Sequence, residues 1–278
     1  MKRLTHAAMT ASTLLVLTTQ AMAADYWVKD SLGNCEIWSD QPPAEGDVIT
    51  WSGGCADGRA SGAGLLIWTS KGKLNTRFDG EMAEGKMNGK GILVERAEAG
   101  TGLDVVTGGF ENGEMNGPII YKSAENALFV GQFKEGLMDG HVLLVEADGS
   151  SFEGTFVNGT AQGAGKTISA DGEVFDGQFQ DNERHGLGSL TLADGGRYVG
   201  EFAQGAITGL GRFEDPSGDT YTGAFQNDLP DGPGVFATFE GDTYQGMFRM
   251  GELNGQVLVT RKDGSQSIET WNNGERQK

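Results

Sequence analysis

The sequence contains few cysteines, histidines and prolines. Its 278 residues include two cysteines, three histidines and six prolines. Basic residues number 21 against 39 acidic ones, a formal net charge of −18. Such a surface repels phosphate groups, so nucleic acid is not an expected partner, and direct binding to anionic membranes is not expected either. The acidity is interpreted first as an aid to solubility, while cationic partners and divalent ions stay open.

The first 23 residues have the form of a secretory signal peptide. Lys2 and Arg3 precede a short apolar stretch at 7–17, and Ala21-Met22-Ala23 ends it with small residues. Cleavage is therefore expected between Ala23 and Ala24. A membrane anchor is the alternative, but the apolar stretch is shorter than the roughly 20 residues that span a bilayer. We expect a periplasmic or secreted chain with 19 basic and 39 acidic residues, a charge of −20.

The two cysteines, Cys35 and Cys55, are predicted to form a disulfide. An even pair in an oxidising compartment is more often a disulfide than a thiol site. Closing a loop of this length stabilises the fold by roughly 3 kcal/mol in the chain-entropy model. A metal site is the weaker interpretation, because no histidine lies near either cysteine in the sequence.

A motif of aromatic, any residue, glycine, any residue, aromatic recurs at a fixed interval of 23 residues. The regular copies begin at Phe129, Phe152, Phe175, Tyr198, Tyr221 and Tyr244, and less regular ones begin at Trp51, Phe78 and Val106. Repeat positions are numbered from these residues. Position 12 is glycine in all nine copies: Gly62, Gly89, Gly117, Gly140, Gly163, Gly186, Gly209, Gly232 and Gly255. Six of the nine copies add a glycine at position 14.

Each copy is predicted to form a β-hairpin. Residues at positions 1, 3 and 5 share one face of a strand, so both aromatic rings and the glycine between them point the same way. Asn112-Gly113 and Asn158-Gly159 are typical of hairpin turns. The Gly-x-Gly at positions 12 to 14 is expected to open the return strand. A single hairpin is marginal in water, so the copies must stack, and we expect each ring to pack over glycine of the next hairpin.

This pattern resembles the MORN (membrane occupation and recognition nexus) repeat family. The resemblance covers Trp51 to Lys278 and implies an all-β fold, an elongated single-layer antiparallel sheet of hairpins. The segment before the array is similar to the start of exported bacterial members. We therefore expect a signal peptide (1–23), an N-terminal cap segment with Cys35 (24–50), nine repeats (51–266) and a degenerate terminal repeat (267–278), in which Glu269 takes the usual glycine position.

Patterns of catalytic or ligand-binding chemistry are weak. The segment 163–167, GAGKT, lacks the first glycine of a phosphate-binding loop and falls in a predicted strand. The recurring Asp-Gly pairs are interpreted as turns rather than calcium ligands. No catalytic residue, cofactor or metal is predicted.

The sequence favours a non-catalytic scaffold that binds a protein or an envelope polymer. The alternatives are a carbohydrate- or cell-wall-binding module that uses aromatic residues on a sheet face, or a peripheral membrane-associated protein. Burial is the preferred interpretation of the tryptophans, because large aromatic residues dominate cores. They are Trp27, Trp38, Trp51, Trp68 and Trp271. The sequence does not predict the binding face or the oligomeric state.

The signal peptide gives a first prediction. The chain recovered from the cell envelope should begin at Ala24, as measured by intact mass or N-terminal sequencing. Replacing Ala23 with leucine should leave the unprocessed chain, because the cleavage site requires a small residue there. Recovery of the wild-type chain with its first 23 residues attached would contradict the assignment.

Overall fold

The computed structural model describes residues 25–97 and 101–278. The expected signal peptide and the bond between Ala23 and Ala24 lie outside the described residues. The described residues form strands and turns with no helix, so no helix among them could cross a membrane. The chain divides between Gly159 and Thr160, and the two parts are called the first unit (25–159) and the second unit (160–278).

The strands of the first unit are β1 (Tyr26–Lys29), β2 (Glu36–Ser39), β3 (Asp47–Trp51), β4 (Gly54–Ala56), β5 (Arg59–Ser70), β6 (Lys73–Ala83), β7 (Lys86–Arg96), β8 (Leu103–Glu111), β9 (Glu114–Lys122), β10 (Leu128–Lys134), β11 (Leu137–Val145) and β12 (Ser151–Val157). Those of the second unit are β13 (Thr160–Ile168), β14 (Val174–Gln180), β15 (Glu183–Thr191), β16 (Arg197–Ala203), β17 (Ala206–Glu214), β18 (Thr220–Gln226), β19 (Leu229–Ala237), β20 (Thr243–Arg249), β21 (Glu252–Thr260), β22 (Gln266–Asn272) and β23 (Glu275–Arg276).

Within each unit, strands that follow one another from β5 onward pair antiparallel. The predicted hairpin turns are confirmed, because Asn112 and Gly113 have φ of +53° and +93°. Positive φ at both central residues matches the right-handed twist of the flanking strands. The predicted all-β class and the hairpin repeat are therefore confirmed.

The glycine at position 12 has a different role from the predicted one. The return strand of the hairpin that starts at Tyr198 begins at Ala206, three residues before Gly209. Pairing shifts register there, since Gly200 faces Gly211 while Glu201 faces Thr208. Gly209 lies in this bulge with φ of +61°. The expectation that Gly-x-Gly opens the strand was wrong, because the two-residue turn lets pairing resume at once and glycine is needed for the bulge.

The aromatic rings lie over glycines of their own hairpin. Tyr198 is fully buried, and a Cβ on Gly200 would lie 2.6 Å from Cζ of that ring and 2.7 Å from the Cα of Gly211. Phe175 likewise blocks any side chain on Gly177 and on Gly188, at 2.6 Å in both cases. The expectation that rings cover glycine of the next hairpin was wrong. The two glycines face each other across the hairpin, so only there can a ring lie flat on the backbone.

These glycines form a row that crosses the strands, one glycine per strand. In the second unit the row runs through Gly165, Gly177, Gly188, Gly200, Gly211, Gly223, Gly234 and Gly246. In the first unit it runs through Gly64, Gly80, Gly91 and Gly108, and then buried Ile119 and Val142 take places in it. An apolar side chain there fills the space that a ring occupies elsewhere.

Contacts between rings join neighbouring repeats. The ring of Tyr198 meets that of Phe202 in its own repeat at 5.3 Å and that of Phe225 in the next repeat at 5.1 Å, both edge to face. Tyr221 repeats the arrangement with Phe225 and Phe248. Each such pair contributes roughly 0.5–1.5 kcal/mol beyond burial. Each repeat is therefore stabilised by its contacts with the neighbouring repeat, as in other repeat folds.

The N-terminal strands lie on the turns of the first repeats. The amide of Glu36 donates to the carbonyl of Gly58 (2.8 Å) and that of Trp38 to Gly85 (2.9 Å). The rings of Trp27 and Trp38 lie under the cations of Arg59 and Lys86, at 4.0 and 4.6 Å. The predicted disulfide is present, with Cα atoms of Cys35 and Cys55 5.6 Å apart.

A charged residue occupies the C-terminal end of the glycine row in the second unit. Glu269 follows Val257 in the register of the row and is buried. Its carboxylate pairs with Arg261 at 3.3 Å and Arg276 at 3.4 Å. Two cations beside one buried carboxylate offset the cost of removing it from water.

The ring-over-glycine contact predicts the effect of adding one methyl group. Gly188→Ala should lower the free energy of unfolding by about 1–3 kcal/mol, because the new Cβ would overlap the ring of Phe175. Urea denaturation measures the change. Ser189→Ala is the matched control on the opposite, exposed face and should change stability by less than about 0.5 kcal/mol. Equal stability of the two variants would contradict the packing.

Two buried tyrosines predict a loss of stability at high pH. Burial raises the pKa of Tyr198 and of Tyr221 to about 12, above the unfolded value of about 10. Their contribution is thus complete below about pH 10 and is lost as the pH rises toward 12. The wild-type free energy of unfolding should fall over this range. The double variant Tyr198→Phe/Tyr221→Phe should fall less, relative to its own value at pH 7, and parallel curves would contradict the assignment.

Candidate interaction surface

The two faces of each unit differ in exposure. The face that carries the rings and the glycine row is the ring face, and most of its aromatic side chains are buried. The opposite, open face carries the side chains that alternate with them, such as Val199 and Leu210, which are 61% and 65% exposed. Candidate binding residues must therefore be sought on the open face.

An apolar patch covers the open face of the first unit. Its ten aliphatic residues lie on β5 and on β7 to β11: Leu65, Ile67, Ile92, Val94, Val105, Ile120, Leu128, Val130, Leu143 and Val145. Each alternates with a residue of the ring face; Phe129, for example, is buried between Leu128 and Val130. Ile120 and Ile92 are the most exposed, at 51% and 45%.

The patch is arranged in two rows that cross the strands. The central row is Leu65, Asp79, Ile92, Thr107, Ile120, Val130, Leu143 and Glu153. The outer row is Ile67, Arg77, Val94, Val105, Lys122, Leu128, Val145 and Ser151. Neighbours within a row are direct cross-strand partners, so their side chains touch or nearly touch. The two rows form an apolar surface from β7 to β11, interrupted by Thr107 and Lys122, and the charged pair of Arg77 and Asp79 on β6 separates it from Leu65 and Ile67.

The charges in and around the patch are of both signs. Arg77 and Asp79 pair with each other at 3.2 Å on β6, and both are about half exposed. His141 lies 3.5 Å from Glu153 at the β12 side. Lys122 is exposed between Val105 and Leu128. The patch therefore has no strong field of one sign, unlike the chain as a whole.

A shallow depression of about 420 Å³ borders the patch on β7 to β9. It is lined by Lys90, Gly91, Ile92, Thr107, Gly108, Gly109 and Pro118. Gly109 lies on the open face beside Thr107 and Lys90, and its Cβ position is blocked by the carbonyl of Asn116. A side chain of a bound partner could enter it beside Ile92.

The open face of the second unit mixes polar and apolar side chains. Its equivalent of the central row contains Lys166, Asp176, Ser189, Val199, Arg212, Thr222, Val235, Gln245, Leu258 and Ile268. Aliphatic side chains are present, but polar ones separate most of them. The second unit also exposes apolar side chains, among them Leu187, Leu210 and Met247, but its central row has no run of three aliphatic neighbours like Ile120, Val130 and Leu143.

The tryptophans do not contribute to the patch. Trp51 and Trp68 are buried, and Trp27 and Trp38 are half-buried beneath their cations. In the second unit, Trp271 meets the ring of Tyr244 edge to face at 5.9 Å. Their positions give no exposed aromatic platform on the patch for stacking on a sugar.

Two sequence patterns without a ligand role are explained by the fold. GAGKT lies within β13, which leads to another strand rather than to a helix. The Asp-Gly pairs lie in turns, where Asp148 accepts the amide of Ser150 at 2.9 Å. The described residues contain no group of three or more histidine, cysteine, aspartate or glutamate side chains placed to hold a metal ion.

The sequence prediction missed the apolar patch, although a signal for it is present. Runs such as Ile92-Leu93-Val94, Leu128-Phe129-Val130 and 142–145 are apolar without interruption. A strand with one face in water alternates apolar and polar residues, whereas an uninterrupted run indicates burial on both faces.

Comparisons with known proteins identify the repeat. A model of the MORN repeat matches residues 78–94, 129–141, 152–174, 175–197, 198–220, 221–243 and 244–256. The search of curated proteins gives no match.

Among solved structures, the TCP10 domain of Danio rerio CPAP is 13% identical, with 70% of this chain and 89% of that chain covered and a TM-score of 0.37. The TCP domain of Drosophila melanogaster SAS-4 (dCPAP), in complex with a proline-rich motif of Ana2 (dSTIL), is 13% identical. Here 56% of this chain and 85% of that chain are covered, with a TM-score of 0.36. Likenesses this weak carry no argument about function.

Each of the seven matched stretches begins at the first aromatic residue of a repeat copy, and the six from residue 129 onward begin 23 residues apart. The chain belongs to the MORN-repeat family.

Proposed function

We propose that this chain is an exported, non-catalytic interaction scaffold of the cell envelope that binds a protein partner through the apolar patch. MORN repeats are generally modules for interaction with proteins or membranes, and the family is typically non-catalytic. The proposal assigns that general role to one surface of the first unit.

The observation that carries the proposal is that β7 to β11 are apolar on both faces. The ring face is covered by its own side chains, so Phe129 and Val142 are buried without a second layer. The open face has no such cover, and Val130 and Leu143 beside them stay 39% and 36% exposed. Contiguous exposed apolar surface of this kind marks an interaction site in soluble proteins.

The magnitudes favour a reversible complex. Complete burial of an aliphatic side chain stabilises by about 1.5–3 kcal/mol, so covering ten side chains that are on average about one-third exposed contributes roughly 5–10 kcal/mol. Association costs about 4–15 kcal/mol in lost freedom. The two ranges overlap, so the apolar contact alone supports moderate affinity, and the charged residues at the rim would select the correct partner.

Export is supported by the signal-like N-terminus and by the disulfide of Cys35 and Cys55, which suits an oxidising compartment. A protein partner is favoured over a sugar polymer because the patch is aliphatic and contains no tryptophan. It is favoured over a membrane because the expected mature charge of −20 opposes approach to anionic lipid.

A pair of matched variants tests the patch. Val130 and Val199 both occupy position 2 of a repeat on the open face, but only Val130 lies in the patch. Val130→Lys should reduce the recovery of a crosslinked partner from the native envelope at least about tenfold, because it places an ammonium group in the apolar contact. Val199→Lys should leave recovery unchanged. Mass spectrometry identifies the captured proteins.

Both variants should keep the wild-type circular dichroism and melting temperature, because the substituted side chains point away from the rings. Recovery of the same proteins in the same amounts with Val130→Lys would show that the patch is not the binding surface.

A further inference from the structure

We infer that the apolar patch binds a second copy of this chain, so that two open faces pack face to face in a symmetric dimer. This inference rests on the proposed interaction function of the same patch and names its occupant. The argument comes from the order of residues in the two rows and from their charges.

The two rows contain one residue each on every strand from β5 to β11, two positions apart. The pairs, with the central-row residue first, are Leu65 and Ile67, Asp79 and Arg77, Ile92 and Val94, Thr107 and Val105, Ile120 and Lys122, Val130 and Leu128, and Leu143 and Val145. A two-fold axis that lies between the rows, perpendicular to the strands, places the central row of one copy opposite the outer row of the other. Each strand then crosses its own counterpart, and four of the seven pairs oppose aliphatic residues on both sides.

The charges fit this axis. Arg77 of one copy lies opposite Asp79 of the second copy, and symmetry repeats the pair. The existing ion pair of Arg77 and Asp79, at 3.2 Å, would become part of a four-residue network. Lys122 of one copy lies opposite Ile120 of the other. Its aliphatic stem can cover the apolar surface there, and its ammonium group can reach the edge of the interface. Self-complementary charge of this kind is what a symmetric interface requires.

The other simple axis is less favourable. A two-fold axis parallel to the strands and through β9 would place Asp79 opposite Glu153, since both lie in the central row three strands from β9. Like charges opposed in an interface weaken it. An axis parallel to the strands through β8 would instead leave Asp79 opposite Val130 without a cation, so the axis perpendicular to the strands is the one that pairs Asp79 with Arg77.

The dimensions suit a sheet-on-sheet contact. Seven strands at a spacing of about 4.8 Å give a strip roughly 29 Å long, and two sheets that pack face to face lie about 10 Å apart. The excess negative charge of each copy opposes association, but at physiological ionic strength the screening length is about 8 Å. Charges remote from the patch are then largely screened, and its own balanced charges decide the contact.

Sedimentation velocity on the full chain, with its disulfide intact, tests the inference. The wild type and Val199→Lys should sediment as dimers, and Val130→Lys as a monomer. Arg77→Asp should raise the dimer dissociation constant at least about tenfold, because it puts two carboxylates opposite each other. The double variant Arg77→Asp/Asp79→Arg exchanges the charges in both copies and should restore the wild-type constant.

The outcomes separate this inference from the proposed function. A monomeric wild type at the highest soluble concentration would overturn the dimer, even if Val130→Lys still lost an envelope partner and so upheld the patch as a binding surface. An unchanged dimer with Val130→Lys would overturn the patch as its interface. A charge exchange that failed to restore association would overturn the proposed axis.

Discussion

The structure depends on one contact, an aromatic ring that lies flat on two facing glycines of its own hairpin. Tyr198 over Gly200 and Gly211 is the pattern, and Phe175 over Gly177 and Gly188 repeats it. The ring buries itself against backbone, so the sheet needs no second layer to cover that face. The glycines cost conformational entropy on folding, and the burial of the ring together with its contact to the next repeat offsets this cost. Every repeat is therefore stable only beside another.

Because the rings cover their own face within a single layer, the side chains of the open face are not needed for core packing. Its residues can vary without disturbing the rings, and they do: Thr222 takes the repeat position of Val130, and Arg212 takes that of Leu143. The fold therefore supplies a regular grid of variable side-chain positions on its open face. An apolar group of residues on that side is consequently more informative here than in a fold where both faces serve the core.

Much of this architecture could be predicted from the sequence, because the repeat fixes strands, turns and the face that each residue takes. The turn at Asn112-Gly113 and the pairing of Cys35 with Cys55 followed from residue type and spacing. The role of Gly209 did not, since a glycine needed for positive φ and a glycine needed for space look alike in a sequence. The covering of Gly211 by Tyr198 depends on which strands lie opposite, and the register shift at the bulge sets that. The run Leu128-Phe129-Val130 indicated the apolar patch, but only as a departure from the alternation of apolar and polar residues in the repeat. The limits assigned to the N-terminal segment and the array stay predictions.

The buried Glu269 gives the glycine row a terminus that is chemically different from every other place in it. No ring can lie flat over a carboxylate that Arg261 and Arg276 hold in place. The rings upstream contact only their own and adjacent repeats. Gene duplication or deletion in whole repeats could thus lengthen or shorten the row while leaving this terminus intact. The number of side-chain positions on the open face can in this way evolve separately from the ion pairs at Glu269.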